Sequence, residues 1–108
     1  MSYERLKKPR EFSNVYRSGE KWVGEYVVLL YIENSLPYSR IGIVVSKKVG
    51  HAVMRNKIKR RLREIVRLNP EIIPEGLDIV IIAKVRARNT DFWGLKEDLL
   101  KGFSEIKR

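Results

Sequence analysis

Residues 46–68 read SKKVGHAVMRNKIKRRLREIVRL, and this stretch decides both the fold and the direction in which function is sought. Met54, Ile58, Leu62 and Ile65 or Val66 recur at helical spacing and form one apolar stripe that docks on a core. Arg55, Lys59, Arg63 and Arg67 recur every four residues and form a ridge on another side, with Asn56 and Arg60 beside it. The stretch holds nine Lys or Arg against the single acid Glu64, a local charge of +8 out of the chain's net +10. Like charges at that spacing repel one another on an isolated helix. A polyanion lying along the ridge turns the repulsion into attraction. A solvated helix face mixes signs, and this one barely does, so the segment points to nucleic acid.

The remaining composition narrows the class. A chain of 108 residues makes one domain, residues 1–108, and 44% hydrophobic residues suffice for a core. With no cysteine there is no disulfide framework, zinc–thiolate site or cysteine nucleophile, and the chain suits a reducing cytosol. No apolar run follows the basic N-terminus, so no signal peptide is visible, and a cytoplasmic location is expected. The apolar stretches 26–32 and 79–83 are too short to span a bilayer. A pI near 10.1 calls for a polyanionic partner.

Working outward, Gly50 breaks the chain before a helix expected over 52–68, and Asn69-Pro70 ends it. Upstream, Pro9 suits the first position of a short helix bearing Phe12, Val15 and Tyr16, with Ser18-Gly19 as its stop. Residues 1–8 read as polar and loose apart from Leu6. Residues 22–33 read as one strand, apolar on both faces, and 39–46 as a second, with Gly42 allowing a close approach or a bulge. The connection is short and rich in turn residues, so the pair reads as an antiparallel hairpin. Downstream, 78–83 reads as a third strand, parallel to an earlier one because it follows a helix. Asn89 or Thr90 is expected to cap a last helix whose stripe is Phe92, Leu95, Leu99, Phe103 and Ile106, with Asp91 near its positive end. The expected fold is α+β, a small mixed sheet packed with helices in the order α-β-β-α-β-α.

No catalytic constellation stands out. His51 is the only histidine, which rules out a His-based metal cluster, and no carboxylate is near it in sequence to orient a triad. There is no GxxxxGK phosphate loop. Glu97 and Asp98 are adjacent, and adjacent helical residues do not face each other. If the protein takes part in an enzyme, its partner supplies the catalytic atoms.

The spacing Arg55-Asn56, Lys59-Arg60 and Arg63-Glu64, preceded by a lysine-rich turn and Gly50, closely resembles the signature of the bacterial ribonuclease P protein subunit. Phe12, Val15, Tyr16, Arg17 and Gly19 match that family's early helix, and the resemblance covers essentially the whole chain. Lys57 stands where the family more often has Arg, which keeps the charge and loses the bidentate fork. The resemblance implies a left-handed strand–helix–strand crossover, against the right-handed form that about 98% of such units adopt. It implies an endoribonuclease whose catalytic RNA, with Mg²⁺ held mainly by that RNA, removes the 5′ leader of precursor tRNA. No protein-bound cofactor is expected.

The resemblance also implies residue roles. Arg55, Asn56, Lys57, Lys59, Arg60 and Arg63 would bind the catalytic RNA, mainly at phosphates. Phe12 and Tyr16 would line a leader-binding cleft between the first helix and the sheet, since any base stacks on an aromatic ring. Phe12 fits a core position equally well. Lys47, Lys48 and His51 would edge the cleft, with Lys84 at the end of the third strand as a further candidate. Ser46 reads as a strand end. The strongest rival is a non-enzymatic RNA chaperone or ribosome-associated protein, which needs no fixed register of the kind seen in 55–64. A membrane-surface protein would need an exposed, bulky apolar helix face, and Met54, Ile58 and Leu62 suit a core.

Overall fold

The computed structural model describes residues 3–106. A five-stranded mixed sheet runs in the order β1-β4-β5-β3-β2, built from β1 (Tyr3–Arg5), β2 (Glu20–Val23), β3 (Val27–Glu33), β4 (Ser39–Val44) and β5 (Leu77–Ala83). Three helices complete it: α1 (Pro9–Ser18), α2 (Ala52–Leu68) and α3 (Phe92–Ile106). The α+β class and the helix bounds agree with the sequence reading, and the strands differ in four respects.

First, the expected strand 22–33 is two strands. The chain turns at Gly24, Glu25 and Tyr26, and β2 pairs antiparallel with β3. The turn is held by a buried carboxylate from α3. Asp98 accepts the backbone N–H groups of Glu25, Tyr26 and Val27 at 3.0, 2.8 and 3.0 Å. Gly24 is required there, because a Cβ would stand 2.5 Å from an Asp98 oxygen.

Second, β3 and β4 are not a hairpin. β5 lies between them, antiparallel to β3 and parallel to β4. Residues 34–38 bridge over its start, with the Asn34 N–H donating to the Gly76 carbonyl and its side-chain amide to Asp78 at 2.9 Å. Two strand spacings are about 10 Å, which five residues span easily. β5 takes the centre because it is apolar on both faces: Ile79, Val80 and Ile81 are all fully buried.

Third, residues expected to be loose contribute β1, a three-residue edge strand parallel to β4, although the first two positions lie outside the described residues. Fourth, β4 ends at Val44, and residues 45–46 lead instead into a 3-10 turn (Lys47–Val49). The element order is therefore β-α-β-β-β-α-β-α. Asp91, not Asn89 or Thr90, caps α3, its Oδ1 accepting the Gly94 N–H at 2.9 Å.

The register divides the side chains between two faces. Ile41, Ile79, Ile81, Val27 and Leu29 pack against Ile58, Leu62, Ile65 and Val66 of α2 and Leu95, Leu99, Phe103 and Ile106 of α3. The opposite face carries a smaller core of Leu6, Val15 and Val80, rimmed by half-buried Phe12, Leu30, Ile32, Val44 and Ile82. α1, only ten residues long, is the helix on this side, and part of the apolar face stays accessible beside it. Glu11 anchors it, accepting from the Lys7 and Lys8 N–H groups and from Arg40 at 2.6 Å.

Candidate nucleic-acid interface

α2 turns its buried stripe to the sheet and its cations outward. Asn56, Lys57, Arg60 and Arg63 are exposed, and Arg55 and Lys59 are half-buried at the flank. The half-burial of Arg55 has a cause: its Nε donates to the Gly50 carbonyl at 3.2 Å, tying the helix to the turn before it. Two other cations of the helix serve the protein itself. Arg67 grips Glu64, which holds the Glu64 carboxyl below the ordinary carboxylate range. Arg61 donates to the Thr90 carbonyl at 3.3 Å and ties α2 to the start of α3. The ridge open to a polyanion is therefore Arg55 to Arg63, and the one acid of the helix is occupied by Arg67.

Lys47 and Lys48 are exposed on the 3-10 turn, and His51 is exposed at the N-cap position of α2, where its carbonyl accepts the Arg55 N–H. A second 3-10 turn, Val85–Asn89, packs against the first and adds exposed Arg86 and Arg88. Basic groups thus gather around the start of α2. Three acids, Glu33, Glu71 and Glu75, gather instead around a separate hollow of about 500 Å³ at the β3–β4 connection.

On the opposite face Tyr16 is 50% exposed. Phe12 is half-buried, its ring lying over Gly42 so closely that a Cβ there would stand 2.6 Å from it. Gly42 is thus a close approach and not a bulge. The sequence reading placed Phe12 and Arg63 on different surfaces, and the structure brings them to one groove of about 590 Å³. Tyr3, Arg5, Ile43 and Arg67 also line it, at the outer edge of β4 beyond the end of β1. The Lys84 ammonium donates to the Gly24 carbonyl at 3.0 Å and helps close the β2–β3 turn. Among the described residues no group of three His, Asp or Glu comes together to hold a metal ion.

Comparison with known proteins agrees with this architecture. The family model described as Ribonuclease P matches residues 1–107. A Thermotoga ribonuclease P protein component is 44% identical over 108 residues, covering 96% of this chain and 92% of the relative. Among solved structures, the RNase P protein of Thermotoga maritima superposes with a TM-score of 0.89 at 41% identity, over 96% of this chain and 98% of that one. The Staphylococcus aureus RNase P protein gives 0.84 at 32% identity, over 98% and 95%. The chain belongs to the ribonuclease P protein family.

Proposed function

We propose that the chain acts as the protein component of ribonuclease P by two adjoining surfaces, α2 on the catalytic RNA and the α1 side of the sheet on the 5′ leader of precursor tRNA, which meet at the groove shared by Phe12 and Arg63. The observation that carries this is the pairing state of α2. Its outward Lys and Arg form a ridge whose sole acid is already engaged by Arg67. Such a surface binds phosphates and releases their counterions, and Arg60 and Arg63 offer planar forks to phosphate oxygens. Tyr16, half-exposed on α1, gives a leader base a ring to stack on, and Lys47, Lys48 and His51 lie on exposed ground suited to its backbone.

Hydrolysis of the phosphodiester is assigned to the RNA, with Mg²⁺ held mainly by RNA phosphates. The residues of this chain bind and position. The test is reconstitution with a bacterial ribonuclease P RNA at low Mg²⁺. Stimulated cleavage that depends on the presence of a leader supports the reading. Annealing activity without such stimulation would mark an RNA chaperone instead.

A further inference from the structure

The start of α3 carries a feature that neither surface uses. Trp93 is 67% exposed, an unusual state for the largest apolar side chain. It is nevertheless held in place. Phe92, packed into the main core, meets the indole edge-on at 5.2 Å and 84°. The Lys96 ammonium lies 5.3 Å from the ring centroid. An aromatic ring held by Phe92 at an edge and Lys96 over one face, and otherwise largely in solvent, has the chemistry of a base-stacking platform.

Its surroundings fit RNA. Arg61 of α2 reaches the Thr90 carbonyl, so the basic helix is tied to this corner, and exposed Lys57 lies one helical turn before Arg61. Arg86 and Arg88 stand on the turn leading in. Most acids nearby are already engaged, Asp98 by the β2–β3 turn and Glu105 by the Trp22 indole N–H. Asp91 caps the helix, Glu25 pairs with Arg86 at 3.3 Å, and Glu97 is exposed one turn further on. α3 packs on the same face of the sheet as α2 and on the opposite face from α1 and its neighbours.

We infer that Trp93 stacks on an unpaired base of the same catalytic RNA that α2 binds, with Lys96 over the other face of the indole. The inference rests on the reading of α2 given above and extends that interface past the helix onto α3. Position decides between the two RNAs: α2 lies on the same face as α3, whereas α1, which carries Tyr16, lies across the sheet.

The experiment measures affinity for full-length ribonuclease P RNA with Trp93→Ala, Trp93→Leu and Trp93→Phe. Both aliphatic variants should bind roughly 5- to 100-fold more weakly and Trp93→Phe within about threefold of the parent, as removal of a stacking face requires. The slope of affinity against salt should stay unchanged, since every phosphate stays neutralised. Tryptophan emission should be quenched by the RNA in the parent and not in Trp93→Phe, which retains Trp22 alone. Unchanged affinity in Trp93→Leu overturns the inference. So does a loss confined to leader-bearing tRNA, or a change in self-association by sedimentation with RNA affinity intact. An Arg60→Ala/Arg63→Ala variant run alongside separates the two readings. If it weakens RNA binding while the Trp93 variants do not, the inference alone falls. If none of the variants weakens binding, the α2 reading falls with it.

Discussion

Arg40 holds the buried carboxylate of Asp78 in a fork, Nε to Oδ1 at 2.8 Å and Nη2 to Oδ2 at 2.7 Å, across the β4–β5 pair. Its remaining nitrogen reaches Glu11 on α1, so one guanidinium joins the centre of the sheet to the helix that carries Tyr16. Removing one partner of a buried pair leaves the other charge uncompensated, at a cost of about 3–5 kcal/mol when both are deeply buried. Arg40 keeps a quarter of its side chain in solvent, and Asn34 still donates to Asp78, so the cost falls to or below the lower bound of that range. Arg40→Ala should lower stability by about 2–3 kcal/mol, a fall of roughly 10 °C or more in Tm. A melt within a degree or two of the parent would show that the fork is ornamental.

The same network predicts an acid limb in stability. The Lys8 N–H, then the Lys7 N–H and the Arg40 guanidinium, hold the Glu11 carboxyl below its ordinary range. A carboxylate depressed on folding stabilises the native state above its unfolded value, near pH 4.3. That stabilisation is lost as pH falls through the lower folded value. Tm measured between pH 7 and pH 3 should therefore drop less steeply for Glu11→Gln than for the parent below about pH 4.3. Parallel curves would remove Glu11 from the account.

Asp98→Ala tests the closure of the β2–β3 turn. It leaves three backbone N–H groups without their acceptor, each worth about 1–3 kcal/mol when buried. Water reaches part of the site, and a total loss of about 3 kcal/mol or more is expected, with amide exchange at residues 25–27 accelerated beyond the rest of the sheet. Uniform acceleration across the sheet would instead mean that the turn opens only with global unfolding.

Tyr16→Ala should leave Tm nearly unchanged, because the ring is half in solvent. It should weaken binding of leader-bearing precursor tRNA to the assembled enzyme by about 1–3 kcal/mol and spare mature tRNA. Equal losses for both tRNA forms would contradict a leader cleft on the α1 side.

The legible parts of this molecule are those whose cause is local. The apolar spacing of 54–66, Gly50 before it and Asn69-Pro70 after it give α2 its observed bounds, and Pro9 with Ser18-Gly19 does the same for α1. The misread parts depend on distant partners. Nothing near Gly24 announces a turn, because its acceptor Asp98 lies more than 70 residues away in sequence. Three residues at 3–5 become a strand only because β4 offers an edge. A short connection suggested a hairpin, whereas the two-sided burial of β5 puts it between the strands so joined. At the site, spacing located the cations of α2 but not the pairing of Arg67 with Glu64, the tie from Arg61 to Thr90 or the engagement of Lys84 by Gly24. Trp93 lies off the apolar stripe of α3, which runs through its neighbour Phe92. Its exposure follows from how α3 docks.

The central claim is that the outward cations of α2 bind RNA phosphates, and the salt dependence of assembly tests it most directly. Arg60 and Arg63 are the cleanest pair to remove, being exposed, whereas Arg55 also holds the Gly50 carbonyl. Affinity of the parent and of Arg60→Ala/Arg63→Ala for ribonuclease P RNA is measured from low to moderate salt, with thermal melts alongside. The double variant should bind more weakly, with a slope of log K against log salt shallower by roughly 0.7–0.9 for each phosphate no longer neutralised, and an unchanged Tm. An unchanged slope with a lowered Tm would contradict the claim, and would make the basic ridge part of the fold instead of the interface.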